Sequence, residues 1–232
     1  MPADTFVIVT AYNEADRIGA TLAALALAFP GAPVWLADDG STDATPEIAR
    51  RAGALVVRSE KVIGKGDAAT PAAREALRGA SAQTGGDGQE PMFILCDGDL
   101  AESAAQLAML AEPIRSGEAD LAVAVFQRRL GGGVGLAVAF ARWAIRRRCG
   151  LRAQAPISGQ RAMSAHVLEQ VLPFAPGFGM EIGMTIDAVR AGCRVAEVEL
   201  DLVHRATGRT PAGFVHRGRQ LLDFVRVYLA RR

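Results

Sequence analysis

Residues Ile94–Leu100 read ILCDGDL. An apolar run of strand length stops in two carboxylates placed one residue apart. A charge at the edge of a core is costly unless a cation, a metal or hydrogen bonds compensate it. The same layout recurs upstream. Phe6–Thr10 (FVIVT) runs into TAYNE, Val34–Ala37 (VWLA) into DDGSTD, and residues 53–59 (GALVVRS) into EKVIGKG. Each short β-branched or apolar run reads as a buried strand, the fourth being Met92–Cys96. Helical spacing fills the intervals, over 13–29, from a cap at Ser41 or Thr42 to about Ala52, over Thr70–Ala80 and near 103–116. A fifth strand is expected over Asp120–Phe126. Such alternation predicts an α/β fold, a mostly parallel Rossmann-like sheet with helices on both faces.

The second half is less regular. It holds a GGG loop, a basic amphipathic segment at 134–148, an SGQRAM segment, and a helix near Glu181–Ala191. A strand near Arg194–Leu200 and a helix near 214–230 follow. No repeat or linker divides the chain, so one domain is expected over 1–232, with functional halves at 1–125 and 126–232. Three scattered cysteines form no CxxC pair, which argues against a zinc knuckle or a disulfide framework. The N-terminus has no basic, apolar leader pattern, and no apolar run is long enough to span a bilayer. A cytoplasmic protein is expected.

Net charge is +1 over 232 residues, but it is unevenly spread. Residues 1–120 hold 18 acids and 9 bases, whereas 121–232 hold 7 acids and 17 bases. The basic half is read either as a solvated face or as a surface for an anionic partner. Aromatic residues are few and no stacking platform is legible, so nucleic acid is not expected.

In open α/β sheets, ligands bind outside the carboxyl ends of the strands. Four strand ends here carry polar clusters. Asp38 or Asp39 can accept hydrogen bonds from a base or ribose. Lys65, between Gly64 and Gly66, reads as a cation on a bendable loop suited to phosphate. The loop lacks the Ser or Thr of a Walker motif. A turn at Gly98 can bring Asp97 and Asp99 toward one site, where hard divalent cations bridge carboxylates to phosphates. A divalent metal carrying a nucleotide diphosphate answers the cost of DGD.

The motifs VIVTAYNEADRI, ADDGSTD, GKGDAA and LCDGDL resemble those of family 2-type glycosyltransferases with the GT-A fold. That resemblance implies a nucleotide-sugar donor, a UDP- or GDP-sugar, and Mg²⁺ or Mn²⁺ held at the DGD segment. It implies Thr10, Tyr12, Glu14, Asp38 and Asp39 around the nucleoside, Lys65 near the nucleotide, and Asp97 and Asp99 at the ribose and metal. Further on, PISGQRAM, PFAPGFGMEIGMTIDAVRAG and VHRATGR resemble the glucosyl-3-phosphoglycerate synthases, which are retaining enzymes. By that likeness Asp99 and His204 hold the metal, and Gly159 lines the substrate. Arg205 and Arg209 lie near the diphosphate, and Glu181 touches the sugar or the reacting centre. The likeness departs at GGGVGL, where Val134 stands in place of an acceptor-binding arginine.

Glu181 lies in an apolar context, so its carboxylate must be paired or protonated. Its roles open at this point are a structural hydrogen bond, a sugar contact, or catalysis together with Asp99. His166 reads as structural. Segment 134–148 is either a core helix with a basic tip or a helix lying on an anionic membrane surface. From the absent acceptor arginine, free 3-phosphoglycerate is expected to be a poor acceptor, with a lipid-linked phosphate the first alternative. Peripheral contact with the inner face of the membrane and a homodimer both stay open. The alternatives to a transferase of sugars are a nucleotidyltransferase acting on a sugar phosphate and a non-catalytic nucleotide-sugar-binding module.

Overall fold

The computed structural model describes residues 4–83, 90–127, 135–202 and 211–231. Seven strands form one sheet in the order β3-β2-β1-β4-β6-β5-β7. They are β1 Thr5–Ala11, β2 Val34–Asp38, β3 Leu55–Arg58, β4 Met92–Asp97, β5 Leu121–Phe126, β6 Arg161–Ser164 and β7 Val195–Leu200. Every pairing is parallel except those of β6, which lies antiparallel between β4 and β5. The expected mostly parallel α/β sheet with helices on both faces is what forms.

The helices follow from burial on the two faces. Helix α1 (Ile18–Ala28), α2 (Thr45–Arg51), the 3-10 segment Ala101–Leu107 and α4 (Ala108–Arg115) cover one face, over Val7, Val9, Ile94 and Cys96. Helices α3 (Lys65–Gln83), α6 (Ala165–Val171) and α7 (Met180–Arg190) cover the other, over Phe6, Ile8, Leu95 and Val123. Phe6 stacks on Phe93 at 5.4 Å between ring centres, a pairing worth about 0.5–1.5 kcal/mol beyond its burial. Helices α5 (Leu136–Cys149) and α8 (Pro211–Ala230) pack on α7 around Ile145, Ile182 and Phe224. Among the described residues no helix is long and apolar enough to cross a membrane.

Two local expectations are corrected, and one unassigned segment gains a structure. Neither Ser41 nor Thr42 caps α2, which starts after Ala44 with no side-chain cap. Ser41 Oγ instead accepts from the Asn13 amide at 2.9 Å, and the Thr42 amide donates to Asn13 Oδ1 at 2.8 Å. The SGQRAM segment supplies the antiparallel strand β6, a pairing that local periodicity cannot announce. Lys65 is not on a bendable loop. It opens α3, five residues before the expected start at Thr70. Gly64, at φ +107°, makes the turn that a side chain would strain, and a Cβ on Gly66 would meet the Ala175 carbonyl at 1.9 Å. The two glycines thus let α3 close against the loop before α7.

Candidate active site

The carboxyl ends of β1, β2 and β4 lie side by side, as the parallel register requires: Thr10 pairs with Asp97, and Ala11 with Asp38. The DGD turn is pinned from α1. The Gly98 amide donates to the Thr10 carbonyl at 2.8 Å, and the Thr21 hydroxyl donates to the Gly98 carbonyl at 2.8 Å. Arg17 donates to the Asp99 carbonyl at 3.1 Å. Both carboxylates are therefore carried on a rigid turn, half-buried.

Asp97 is enclosed by its own chain. Lys65 Nζ stands 2.6 Å from Oδ1, which also accepts from the Thr10 hydroxyl at 3.0 Å, while Oδ2 accepts from Gln160 Nε2 at 2.8 Å. Burial raises the proton affinity of this carboxyl, but Lys65, Gln160 and Thr10 outweigh it and hold Asp97 below the usual carboxylate range. Lys65 also contacts Glu181 Oε1 at 2.7 Å. Its ammonium is thus held between two carboxylates from β4 and α7. Burial opposes the charge, yet Asp97 and Glu181 keep Lys65 above the normal lysine range. Gly159 closes the cluster, since a Cβ there would lie 2.6 Å from Lys65 Nζ and 2.7 Å from Asp97 Oδ2.

The second strand end performs a different task. Asp38 is fully buried, accepts from the Ser41 amide at 3.2 Å, and lies 3.1 Å from Arg58 Nε. Asp39 accepts from the amides of Ile63, at 2.7 Å, and Gly64, at 3.0 Å. These carboxylates hold the loop that leads into Lys65. Glu14 belongs to a loop stitched to residues 41–45, its amide donating to Thr45 Oγ1 at 2.8 Å. Tyr12 stands exposed at the rim.

The structure brings together Thr10, Lys65, Asp97, Gly159 and Glu181 in direct contact, with Asp99 one turn away. His204, Arg205, Arg209 and Val134 lie outside the described residues. Among the described residues no three His, Cys, Asp or Glu side chains converge as a metal cluster. Gln160, Thr21 and Arg17 carry positioning contacts that sequence reasoning did not single out. The only signal for Gln160 was a polar pair, Gln-Arg, at the entry to a short strand.

The sequence model described as "Glycosyl transferase family 2" matches residues 6–154, which is more than half of the chain. The chain belongs to glycosyl transferase family 2. Within that family it is similar to the glucosyl-3-phosphoglycerate synthase of Mycobacterium tuberculosis (strain ATCC 25618 / H37Rv), 32% identical over 220 residues. That match covers 86% of this chain and 66% of the relative. The synthase of Mycolicibacterium paratuberculosis is 31% identical over 199 residues, covering 78% of this chain and 58% of that one. The chain therefore spans somewhat less than two thirds of the curated relatives it matches. Its backbone superposes on the crystal structure of the M. tuberculosis synthase in complex with Mn²⁺, uridine-diphosphate-glucose and phosphoglyceric acid. There the TM-score is 0.73 at 28% identity, covering 99% of this chain and 79% of that one. The same enzyme in complex with phosphoglyceric acid gives 0.74 at 27% identity, covering 99% and 80%. DDGSTD and DGD leave β2 and β4 on either side of β1, at one carboxyl edge of the sheet.

Proposed function

We propose that the chain transfers a sugar from a nucleotide-diphospho-sugar, UDP-glucose being the first donor, to a phosphate-bearing acceptor with the help of Mg²⁺ or Mn²⁺. The observation that carries this reading is the Lys65 ammonium held between Asp97 and Glu181 at the carboxyl edge of the sheet. Three residues far apart in sequence build one rigid charged centre where nucleotide ligands of such sheets bind.

The donor set fits a hard divalent cation. Lys65, Thr10 and Gln160 occupy Asp97; the residues that would hold the cation are Asp99, on its pinned turn, and, by the family likeness, His204. When bound, the cation neutralises negative charge on the departing diphosphate. The chain's own residues do the rest. The glycosidic carbon–oxygen bond to the diphosphate breaks through an oxocarbenium-like state, and an acceptor oxygen forms the new bond to the same carbon. In the retaining course attack comes from the face the diphosphate leaves, and a leaving-group oxygen takes the acceptor proton. Glu181, fixed by Lys65, faces the sugar. Asp38 and Asp39 brace the nucleoside side, and by the family likeness Arg205 or Arg209 would add cationic charge near the diphosphate. Similarity to the M. tuberculosis synthase supports the same donor and metal.

Similarity to a relative solved in complex with phosphoglyceric acid supports that class of small phosphorylated acid as the first acceptor to test. One observation favours a second reading, a lipid-linked phosphate. Leu136 and Trp143 are 68% and 50% exposed on α5, beside exposed Arg142, Arg146 and Arg147. That face suits an anionic surface, with the protein cytoplasmic and peripheral. The test is mass-spectrometric detection of product from UDP-glucose and Mn²⁺ with 3-phosphoglycerate in one arm and polyprenyl phosphate in vesicles in the other. Product in the first arm supports the first acceptor, and product in the second arm alone supports the lipid. Transfer to neither, with no donor cleavage, rejects the proposal.

A further inference from the structure

Arg161 is the largest fully buried side chain of the protein's described residues, 0% exposed. Its guanidinium has no carboxylate partner there. Nε donates to the Ser158 carbonyl at 3.0 Å and Nη1 to the Thr185 hydroxyl at 2.9 Å, while Nη2 finds no partner among the described residues. Burial pulls its pKa down to about 10, against the opposing influence of Glu181 and Glu197. It stays charged at neutral pH. A buried charge without a directly bonded counter-ion is destabilising, so a neutral side chain of similar volume would cost the fold little or nothing. Its presence calls for a use other than stability.

The contacts state that use. Arg161 follows Gln160, which donates to Asp97, and Gly159, which closes on Lys65. Through Nε it fixes the 158–160 turn. Through Nη1 it reaches Thr185, whose hydroxyl donates to the Glu181 carbonyl one helical turn back, at 2.9 Å. A single guanidinium therefore ties the turn that orients Asp97 to the first turn of α7, which carries Glu181. We propose that Arg161, acting through Thr185, is a positioning residue that sets the separation of Asp97 and Glu181 and hence the seat of Lys65. This inference rests on the glycosyltransferase reading of the same site. Small displacements of a catalytic group cost rate more than they cost binding, because only the transition state demands the final alignment.

Two pairs of variants test it, Arg161→Met with Arg161→Lys and Thr185→Val with Thr185→Ser. For each, donor cleavage from UDP-glucose with Mn²⁺ gives kcat and KM, thermal denaturation gives Tm, and amide hydrogen exchange reads residues 158–160 and 181–184. Arg161→Met should keep Tm within about 3 °C of the parent while kcat falls by about tenfold or more and KM changes by less than about threefold. Thr185→Val should lower kcat in the same way, and Thr185→Ser, which keeps the hydroxyl, should restore it. Exchange should quicken in the two named segments and not across the sheet. Parental kcat and parental exchange in Arg161→Met and Thr185→Val overturn the inference. So does a kcat loss that merely follows a sheet-wide rise in exchange. If Arg161→Met does not fold, the Val and Ser pair decides. If the parent cleaves no donor, the proposed function fails, and the exchange pattern alone then upholds or rejects the positioning role.

Discussion

The Lys65 ammonium lies 2.7 Å from Glu181 Oε1, although 116 positions of sequence separate the two residues. The contact joins the start of α3 to the first turn of α7 and leaves one cation between two carboxylates. Lys65→Met removes the cation and leaves Asp97 facing Glu181. UDP binding measured by calorimetry should weaken by about 1–3 kcal/mol, the scale for losing charge-assisted hydrogen bonds. An unchanged affinity in a folded variant would place the nucleotide elsewhere.

Gly159 has room for no side chain. Gly159→Ala brings a methyl within 2.6 Å of Lys65 Nζ and 2.7 Å of Asp97 Oδ2, so the ion pair must separate. Donor turnover should fall steeply while Tm changes little, because the displaced groups face the site and not the core. Turnover equal to the parent's would mean that the pair is not needed in its observed geometry.

Much of this architecture was legible before any coordinates. Parallel strands buried on both faces read as continuous apolar runs, and their polar exits mark the ligand edge, which is why Asp38, Asp39, Asp97 and Asp99 could be named. What escaped was tertiary. Gln160 and Arg161 look like surface residues, and only the insertion of β6 between β4 and β5 buries them. Lys65 read as loop because glycines flank it, yet Asp39 and the Ala175 loop convert that stretch into a helix start. Helix α2 lost its expected cap because Ser41 and Thr42 had partners 28 and 29 residues upstream.

Asp39, a residue only 9% exposed, acts on the loop before Lys65, accepting from the amides of Ile63 and Gly64. Asp39→Ala should therefore weaken UDP binding by about 1–3 kcal/mol, by freeing two amides and loosening the entry to α3. Faster amide exchange at residues 62–65, read by mass spectrometry, should accompany the loss. Parental affinity with parental exchange would show that the loop keeps its shape without the carboxylate.

At the opposite edge of the sheet, the Arg194 guanidinium grips Asp120 at 2.8 Å and holds its carboxyl below the usual carboxylate range. A carboxylate whose folded pKa is depressed adds stability above its unfolded pKa, about 3.9, and loses it as pH falls through the folded value. The Tm gap between the parent and Asp120→Asn should be widest near neutral pH and shrink below about pH 4. The pair is largely exposed, so the gap should be modest and should narrow in high salt. A gap that is constant from pH 7 down to the acid limb would contradict the assignment.

The central claim is that the Lys65-bridged carboxylates form the centre of sugar transfer, and Glu181→Gln tests it most directly. The amide preserves shape and can still meet the Lys65 region, so the fold and the UDP-glucose affinity should stay within about threefold of the parent. The measurement is single-turnover cleavage of UDP-glucose with Mn²⁺, parent against variant. The parent should release UDP, and Glu181→Gln should do so at least about a hundredfold more slowly. Equal rates in the two proteins, or no UDP release by the parent with any nucleotide-sugar, would contradict it.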